Sequence, residues 1–294
     1  MSVYKTFAIA GTGGVLGAAL RTAFSPSSPR ILTRGNPPPE VGNETFHIVD
    51  YDQVPTLVEA LDGIDVLVSC LSASAREAEK NLARAARIAK VKLFVPSGFG
   101  ADLVELQKRA GGDSPHPGWS GKIALYDFIK NDAEVKGLPY LQIVSVLFAS
   151  LVFKFPVGFN LEDKMTTIVG TGDEKIALTT QADTAAFLYK ALTTLPPSEL
   201  EYKTLRLSCS RRSWNELVSL YEAKTGNKLE KKFVSVEDAL QRCRENTSGD
   251  KFVLGLVWGL LWIFGTGQGD VVDDNAKVGF EADEHAIDKV VDAL

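Results

Sequence analysis

Cysteine is scarce in this chain. Only Cys70, Cys209 and Cys243 occur among 294 residues. They lie far apart and are odd in number, so no disulfide framework is expected; a reducing, cytoplasmic setting is. Histidine is equally sparse. His47, His116 and His285 stand isolated, and no Cys/His spacing of a metal site appears. Basic residues are not in excess: 32 Lys and Arg against 37 Asp and Glu leave a net charge of −5. That balance argues against a nucleic-acid partner. Apolar runs long enough to span a bilayer are also missing. The run 252–264, bounded by Lys251 and Gly265, is too short and reads as a buried helix or a wall beside a substrate. Repeats and low-complexity tracts are absent. With 45% hydrophobic and 23% charged residues, disorder and fibrous structure are excluded, and one large domain, or one with a small appendage, is expected.

What the chain does contain is concentrated early. Residues 7–17 read Phe-Ala-Ile-Ala-Gly-Thr-Gly-Gly-Val-Leu-Gly: an apolar strand, a glycine turn and a helix start. Gly11 and Gly13 let the chain turn tightly and bring backbone N–H groups against a pyrophosphate. Gly17 lets the following helix lie close on the strand. Thr12, Gly14, Val15 and Leu16 complete the turn, and the helix start offers unpaired N–H groups and a positive dipole end to phosphate. An ordinary glycine-rich turn looks similar. Here a strand precedes it and an amphipathic helix built on Leu16, Ala19, Leu20 and Ala23 follows, which is the context a dinucleotide site requires.

Through residue 144, short apolar runs alternate with helical patterns. Strands are expected at 6–10, 30–33, 45–48, 66–69, 92–96 and 140–144, and helices at 15–23, 54–61, 76–89 and 121–135. The alternation predicts an α/β fold: a Rossmann-type, doubly wound parallel sheet over residues 1–150. Beyond it the pattern breaks down. Phe148, Phe153, Phe155 and Phe159 punctuate a segment without clean periodicity, and Gly170-Thr171-Gly172-Asp173 reads as a hairpin turn between 165–169 and 175–178. Helices are expected at 182–192, after the capping pattern Ser213-Trp214-Asn215-Glu216, after Ser235, and from Asp283 to about Ala293. Residues 151–294 are therefore expected to form a smaller mixed substrate region, with 178–195 returning to the main domain. Pro37-Pro38-Pro39 and Pro196-Pro197 mark surface loops.

The second expected strand ends at Thr33 and Arg34, about twenty residues after Gly13, where this fold reads the ribose. A carboxylate there would accept hydrogen bonds from a 2′-hydroxyl and repel a 2′-phosphate; an arginine pairs with the phosphate. NADP(H) is therefore favoured over NAD(H), although a solvated loop arginine is common. Thr33 adds a hydroxyl. Ligands of such sheets lie outside the carboxyl ends of the strands. Ser69, Cys70 and Leu71, and Ser97, Gly98 and Phe99, are thus expected near the nicotinamide. Asp50 is expected near the adenosine half or as a turn former.

Together Gly11-Thr12-Gly13-Gly14-Val15-Leu16-Gly17, Arg34 and Phe94-Val95-Pro96-Ser97-Gly98-Phe99-Gly100 resemble the NmrA-like and isoflavone reductase-like branch of the atypical short-chain dehydrogenases. The resemblance covers most of the chain and is strongest through Phe148. It implies a Rossmann-type domain, bound NADPH and reduction of aromatic secondary metabolites. It further implies a catalytic lysine at the start of the helix after the Pro-Ser-x-Phe-Gly segment, where Lys122 stands. Independently of the family, Ser120 reads as an N-cap. Lys122 would then oppose the helix dipole in the first turn, and both this and burial would lower its pKa. A surface lysine with a packed stem is the alternative. Three departures from the family pattern are visible: Tyr126 replaces a basic residue, Gly98 replaces a glutamate, which would leave room, and the loop from Ala101 to Trp119 departs from the compact plant-reductase pattern. Tyr126 and Lys130 open a second mechanism, in which a lysine lowers the pKa of a proton-donating phenol and Ser97 steadies the carbonyl oxygen. Phe99, Trp119, Tyr126, Phe148, Phe153 and Phe159, with Trp258 and Trp262, are candidates for an aromatic substrate wall; core packing would account for the same residues.

The expected function is an NADPH-dependent reductase of a small, largely apolar aromatic or polyketide-like molecule. Its partner would be that small molecule, with no nucleic acid and no transmembrane segment, in a monomer or homodimer. Two other functions fit the same scaffold: a non-enzymatic NADP(H) redox sensor of the NmrA type, and a cofactor-bound isomerase or cyclase.

Overall fold

A computed structural model describes residues 4–37, 39–72, 74–109, 116–153 and 157–294; Pro38 and Phe155 lie outside them. The first half runs β1 (Phe7–Ala10), α1 (Val15–Phe24), β2 (Arg30–Thr33), β3 (Thr45–Ile48), α2 (Val54–Ala60), β4 (Val66–Ser69), α3 (Arg76–Ile88), β5 (Leu93–Val95), α4 (Leu103–Arg109), α5 (Pro117–Asn131) and β6 (Leu141–Val144). Five strands pair in parallel in the order β3-β2-β1-β4-β5. A parallel bridge between Phe94 and Tyr140 carries the order on toward β6. β1 and β4 are buried along their whole length, because helices cover both faces of the sheet. Side chains alternate across the strand: Phe7 and Ile9 pack with Leu20 and Val66 on one face, and Ala8 and Ala10 with Leu67 and Leu82 on the other. Strand order reverses between β1 and β4, which opens a crevice at their carboxyl ends.

The second half runs β7 (Leu147–Phe148), α6 (Ala149–Val152), β8 (Phe159–Asn160), β9 (Met165–Val169), β10 (Lys175–Thr179), α7 (Gln181–Thr194), β11 (Lys203–Arg206), β12 (Ser210–Ser213), α8 (Trp214–Thr225), β13 (Glu230–Val234), α9 (Val236–Glu245), α10 (Phe252–Gly265), α11 (Asn275–Val278) and α12 (Ala286–Asp292). α7 packs back onto the sheet layer: the Phe24 and Tyr189 rings meet edge-on at 5.0 Å, and Ala185 and Leu188 join the core around β1. β11 pairs in parallel with β6. The Ser213–Glu216 capping box forms in both directions, and Ser235 caps α9. α10 is largely buried against α9 and β9. No described helix is long and apolar enough to cross a membrane.

Two expectations change. The segments around Gly170–Asp173 do not form a hairpin. β9 lies between β8 and β13, and β10 between β7 and β12. Gly170 and Gly172 take φ values of +77° and +83°, and the Glu174 carboxylate accepts the Thr171 and Gly172 N–H groups. The turn chemistry is therefore as read, but the loop passes the chain from one sheet to another. Pairing partners are set by which faces bury, not by the turn. α5 also begins earlier than expected. His116 is its N-cap, with Nδ1 accepting the Gly118 N–H at 3.0 Å, and Pro117 fills the first helical position. Ser120 thus lies inside the helix, and Lys122 falls in its second turn.

One buried ion pair fastens the loop after β2. Arg21 on α1 donates from Nε to Glu44 Oε2 at 3.0 Å and from Nη2 to Glu44 Oε1 and the Pro39 carbonyl. Glu44 also accepts the Val41 N–H at 2.7 Å. Both side chains are almost wholly withdrawn from solvent, so the chain that carries Arg34 out of the sheet and back into β3 is anchored by a paired charge.

Candidate active site

The crevice at the carboxyl ends of β1, β2 and β4 has a volume of about 920 Å³. Gly11, Gly13 and Gly14 form its floor; Arg34, Asp50, Tyr51 and Asp52 line one end, and Cys70, Leu71, Ser72 and Arg76 the other. Gly11 has φ +85°, and a Cβ there would lie 2.7 Å from the Cys70 carbonyl group, so only glycine permits this approach of β1 to β4. A Cβ at Gly17 would lie 2.5 Å from Thr12 Cα; its absence seats α1 on the turn. Gly13 and Gly14 differ. Nothing lies within 4 Å of a Cβ at either. Gly14 is the N-cap of α1, without a side-chain cap bond, and the first turn contains no acidic residue. The first N–H groups of this ten-residue helix are thus left to an anion that the open glycines admit.

Other residues expected at the coenzyme divide sharply. Arg34 is exposed at the outer end of the crevice. Thr33 does not join it: its hydroxyl bonds within its own bend, 3.3 Å from the Gly35 carbonyl. Asp50 lines the crevice while its Oδ1 accepts the Asp52 N–H at 2.9 Å, so it is also a turn former. Val15 is exposed and Leu16 packs on the sheet core; with Thr12 and Gly17 they shape the turn rather than line the crevice. Ser69 is fully buried and does not line it either. Tyr51 was not foreseen. It lines the crevice while its hydroxyl donates to the Leu32 carbonyl at 3.1 Å, and burial pushes its pKa up to about 12. A tyrosine in a turn carries no sequence signal for such a place.

Behind the Cys70–Leu71 wall, Ser97 is held at three points. Its Oγ donates to the Leu71 carbonyl at 2.7 Å. Its N–H donates to Glu79 Oε1 at 2.5 Å. Its carbonyl accepts from Lys122 Nζ, which also lies 3.3 Å from Ser97 Oγ. Burial lowers the Lys122 pKa, opposed by the charges of Glu79 and Cys70. Burial raises the Glu79 pKa, opposed by Lys122 and by the Ser97 N–H. Burial also pushes the Cys70 thiol up to about 11. The helix dipole invoked for Lys122 has little part in this, because the lysine lies beyond the first turn. Glu79 was missed because one glutamate on a charged helix face looks solvated; only packing shows it 5% exposed.

Tyr126 stands apart from this cluster. Its hydroxyl is buried and has no hydrogen-bond partner, and burial raises its pKa far above the ordinary value. A Cβ at Gly98 would lie 2.3 Å from that hydroxyl, so the room beside Gly98 is filled by the tyrosine and is not open to a ligand. Lys130 does not serve the phenol. Its Nζ lies 5.9 Å over the Tyr140 ring. Tyr126→Phe is therefore expected to keep full activity and to raise stability by up to ~1 kcal/mol, since it deletes a buried unpaired hydroxyl; urea melts and steady-state rates check both. The aromatic wall is likewise mostly core. Phe153 and Phe159 pack edge-on at 4.7 Å, beside Tyr221 and Trp214. Trp119 lies over Gly259, whose Cβ would reach its ring at 2.5 Å. Phe99 and Trp262 are buried, and Arg242 covers the Trp258 ring at 4.6 Å. Phe148, half-buried at the end of β7, packs against the core around β1.

The model of the NmrA-like family matches residues 30–251. The chain belongs to the NmrA-like family. This NmrA-like protein is 29% identical over 212 residues to the probable pinoresinol-lariciresinol reductase 3 of Arabidopsis thaliana, covering 70% of this chain and 66% of that protein. It is 32% identical over 204 residues to the isoflavone reductase homolog IRL of Zea mays, covering 67% and 62%. The matched stretch thus spans slightly less than two thirds of the length of these relatives. Among solved structures, isoflavone reductase superposes with a TM-score of 0.75 at 20% identity, covering 98% of this chain and 99% of that one. The leucoanthocyanidin reductase–NADPH complex of Vitis vinifera does so at 0.75 and 19%, covering 97% and 99%. These likenesses establish the α/β fold with a parallel central sheet.

Proposed function

We propose that this NmrA-like protein is an NADPH-dependent reductase of a small, largely apolar aromatic or polyketide-like molecule. The observation that carries the reading is one crevice with an uncapped, glycine-floored helix start, an arginine at its outer end and a half-buried lysine just behind its inner wall. The backbone at Gly11, Gly13 and Gly14 would hold the coenzyme diphosphate, Arg34 the 2′-phosphate, and Cys70 and Leu71 would border the nicotinamide. Bound NADPH supplies the hydride. Lys122 would donate a proton to the acceptor or polarise it, with Ser97 fixing its Nζ. In this reading residues 1–150 carry the coenzyme, and the substrate lies between them and residues 151–294. The relatives named for pinoresinol, lariciresinol and isoflavone reduction, and the neighbour solved with NADPH, support the same assignment.

Calorimetry with NADPH and NADH, followed by coenzyme oxidation in the presence of lignan, isoflavonoid and aromatic ketone acceptors, tests the proposal. Tight NADPH uptake with acceptor-dependent oxidation is expected; no uptake of either coenzyme would end it. Arg34→Ser is expected to weaken NADPH about tenfold, the ~1.4 kcal/mol of one solvent-screened charged hydrogen bond, and to leave NADH affinity unchanged. An equal loss for both coenzymes would remove the 2′-phosphate role.

A further inference from the structure

The backbone of Ser97 joins a buried carboxyl group and a half-buried amine on different helices. Glu79, from α3, receives its N–H at 2.5 Å, and Lys122, from α5, donates to its carbonyl. We propose that Glu79 is a positioning residue: it holds the Ser97 turn in place and keeps Lys122 in the ammonium form that a proton donor needs. The proposal rests on the reading of Lys122 given above and extends it to a second residue.

Three observations converge. Glu79 is 5% exposed on a helix whose other first-turn acid, Glu77, pairs with Lys80 at the surface. A carboxylate withdrawn from water requires a compensating charge or hydrogen bonds. Of the hydrogen bonds given to it, one is to Ser97, and Lys122 is the cation acting on it. Conversely, Lys122 is half-buried, and its ammonium is tied to Ser97. Acting on it are Glu79 on α3, Cys70 at the end of β4 and Ser97 after β5, while Tyr126 stands one turn along its own helix. Arg76, also on α3, lies against Gly121, where a Cβ would come within 2.2 Å of its Nε. The thiol and the phenol stay neutral near pH 7, because burial raises both. With the thiol neutral, Glu79 is the charged group that, together with the Ser97 carbonyl, offsets the cost of withdrawing the Lys122 ammonium from water. The coupling is reciprocal: removing either charge must move the titration of the other.

Lysine-selective ¹³C labelling reads this without turnover. The Lys122 Cε signal, identified by its loss in Lys122→Met, is followed against pH in the native protein and in Glu79→Gln. The expected result is a Lys122 midpoint lowered by about one pH unit or more in Glu79→Gln, with Glu79→Asp restoring part of the shift. An unmoved midpoint in folded Glu79→Gln overturns the proposal. If Glu79→Gln does not fold, the Glu79 Cδ signal in Lys122→Met gives the reciprocal measurement; its midpoint must rise, and a constant value overturns the proposal equally. The acidic and basic limbs of NADPH oxidation supply a separate readout. Coupled titrations in a protein that oxidises no NADPH would retain Glu79 and discard the reductase reading. Oxidation with uncoupled titrations would do the reverse.

Discussion

Lys122→Met is expected to lower the rate of NADPH oxidation about 10²–10⁴-fold, the range lost with a positioned general acid, while NADPH affinity stays unchanged. Methionine retains the apolar stem that packs on α5 and removes only the ammonium. The separation follows from geometry: Nζ is tied to Ser97, behind the Cys70–Leu71 wall, whereas the crevice floor and the outer arginine belong to β1, α1 and β2. In the proposed reaction the native protein should also lose turnover as pH rises through the Lys122 pKa, because only the protonated form donates. Burial pulls that pKa below the ordinary 10.5, so the basic limb should begin at lower pH than a surface lysine would give, and should vanish in Lys122→Met. Rates across pH with calorimetry on the same samples decide the matter. Native-like turnover in the variant would remove Lys122 from the chemistry, and a parallel loss of NADPH affinity would make it a coenzyme ligand instead.

Arg21→Met is expected to destabilise the protein by about 3–5 kcal/mol, the cost of leaving a buried carboxylate without its cation. Glu44 would keep only the Val41 N–H at 2.7 Å, and the Pro39 carbonyl would lose its donor. The paired change Arg21→Met with Glu44→Leu should recover most of the loss, because removing both charges also removes both desolvation costs. Urea denaturation of the two variants and the native protein measures this. The consequence reaches the site. Arg21 and Glu44 bracket the segment that leaves β2 at Arg34, so the single variant should also erode the preference for NADPH over NADH. An Arg21→Met protein as stable as the native one would show that the pair carries no anchoring role.

The parallel sheet was legible because its evidence is local. Four-residue strands at 30–33, 45–48 and 66–69 match β2, β3 and β4 at both ends; β4 is apolar throughout because it is covered on both faces, whereas the edge strand β3 is partly exposed and was legible from its place in the strand–helix alternation. Gly11 and Gly17 were legible for a related reason: each is a position where a side chain would strike backbone, and the motif spacing records that steric demand. Helix starts were legible where a hydroxyl caps them, at Ser213 and Ser235. α5 was misjudged because its cap is a histidine ring buried against Phe252 and Asn246, a partner 130 residues away.

Long-range contacts decided the rest. Whether Phe153 and Phe159 face a ligand or a core depends on where β8 and α6 lie against α8 and α10. The fate of the space at Gly98 depends on the rotamer of Tyr126, and the pairing of β9 and β10 on sheets assembled from distant strands. Glu79 and Lys122 lie 43 positions apart on separate helices and communicate through the backbone of one residue after β5. Periodicity and steric spacing act between neighbours along the chain, so they can specify strands, turns and a phosphate cradle. Burial, and with it the protonation of a lysine, is set by what the folded chain places across from it, and no run of consecutive residues contains that information.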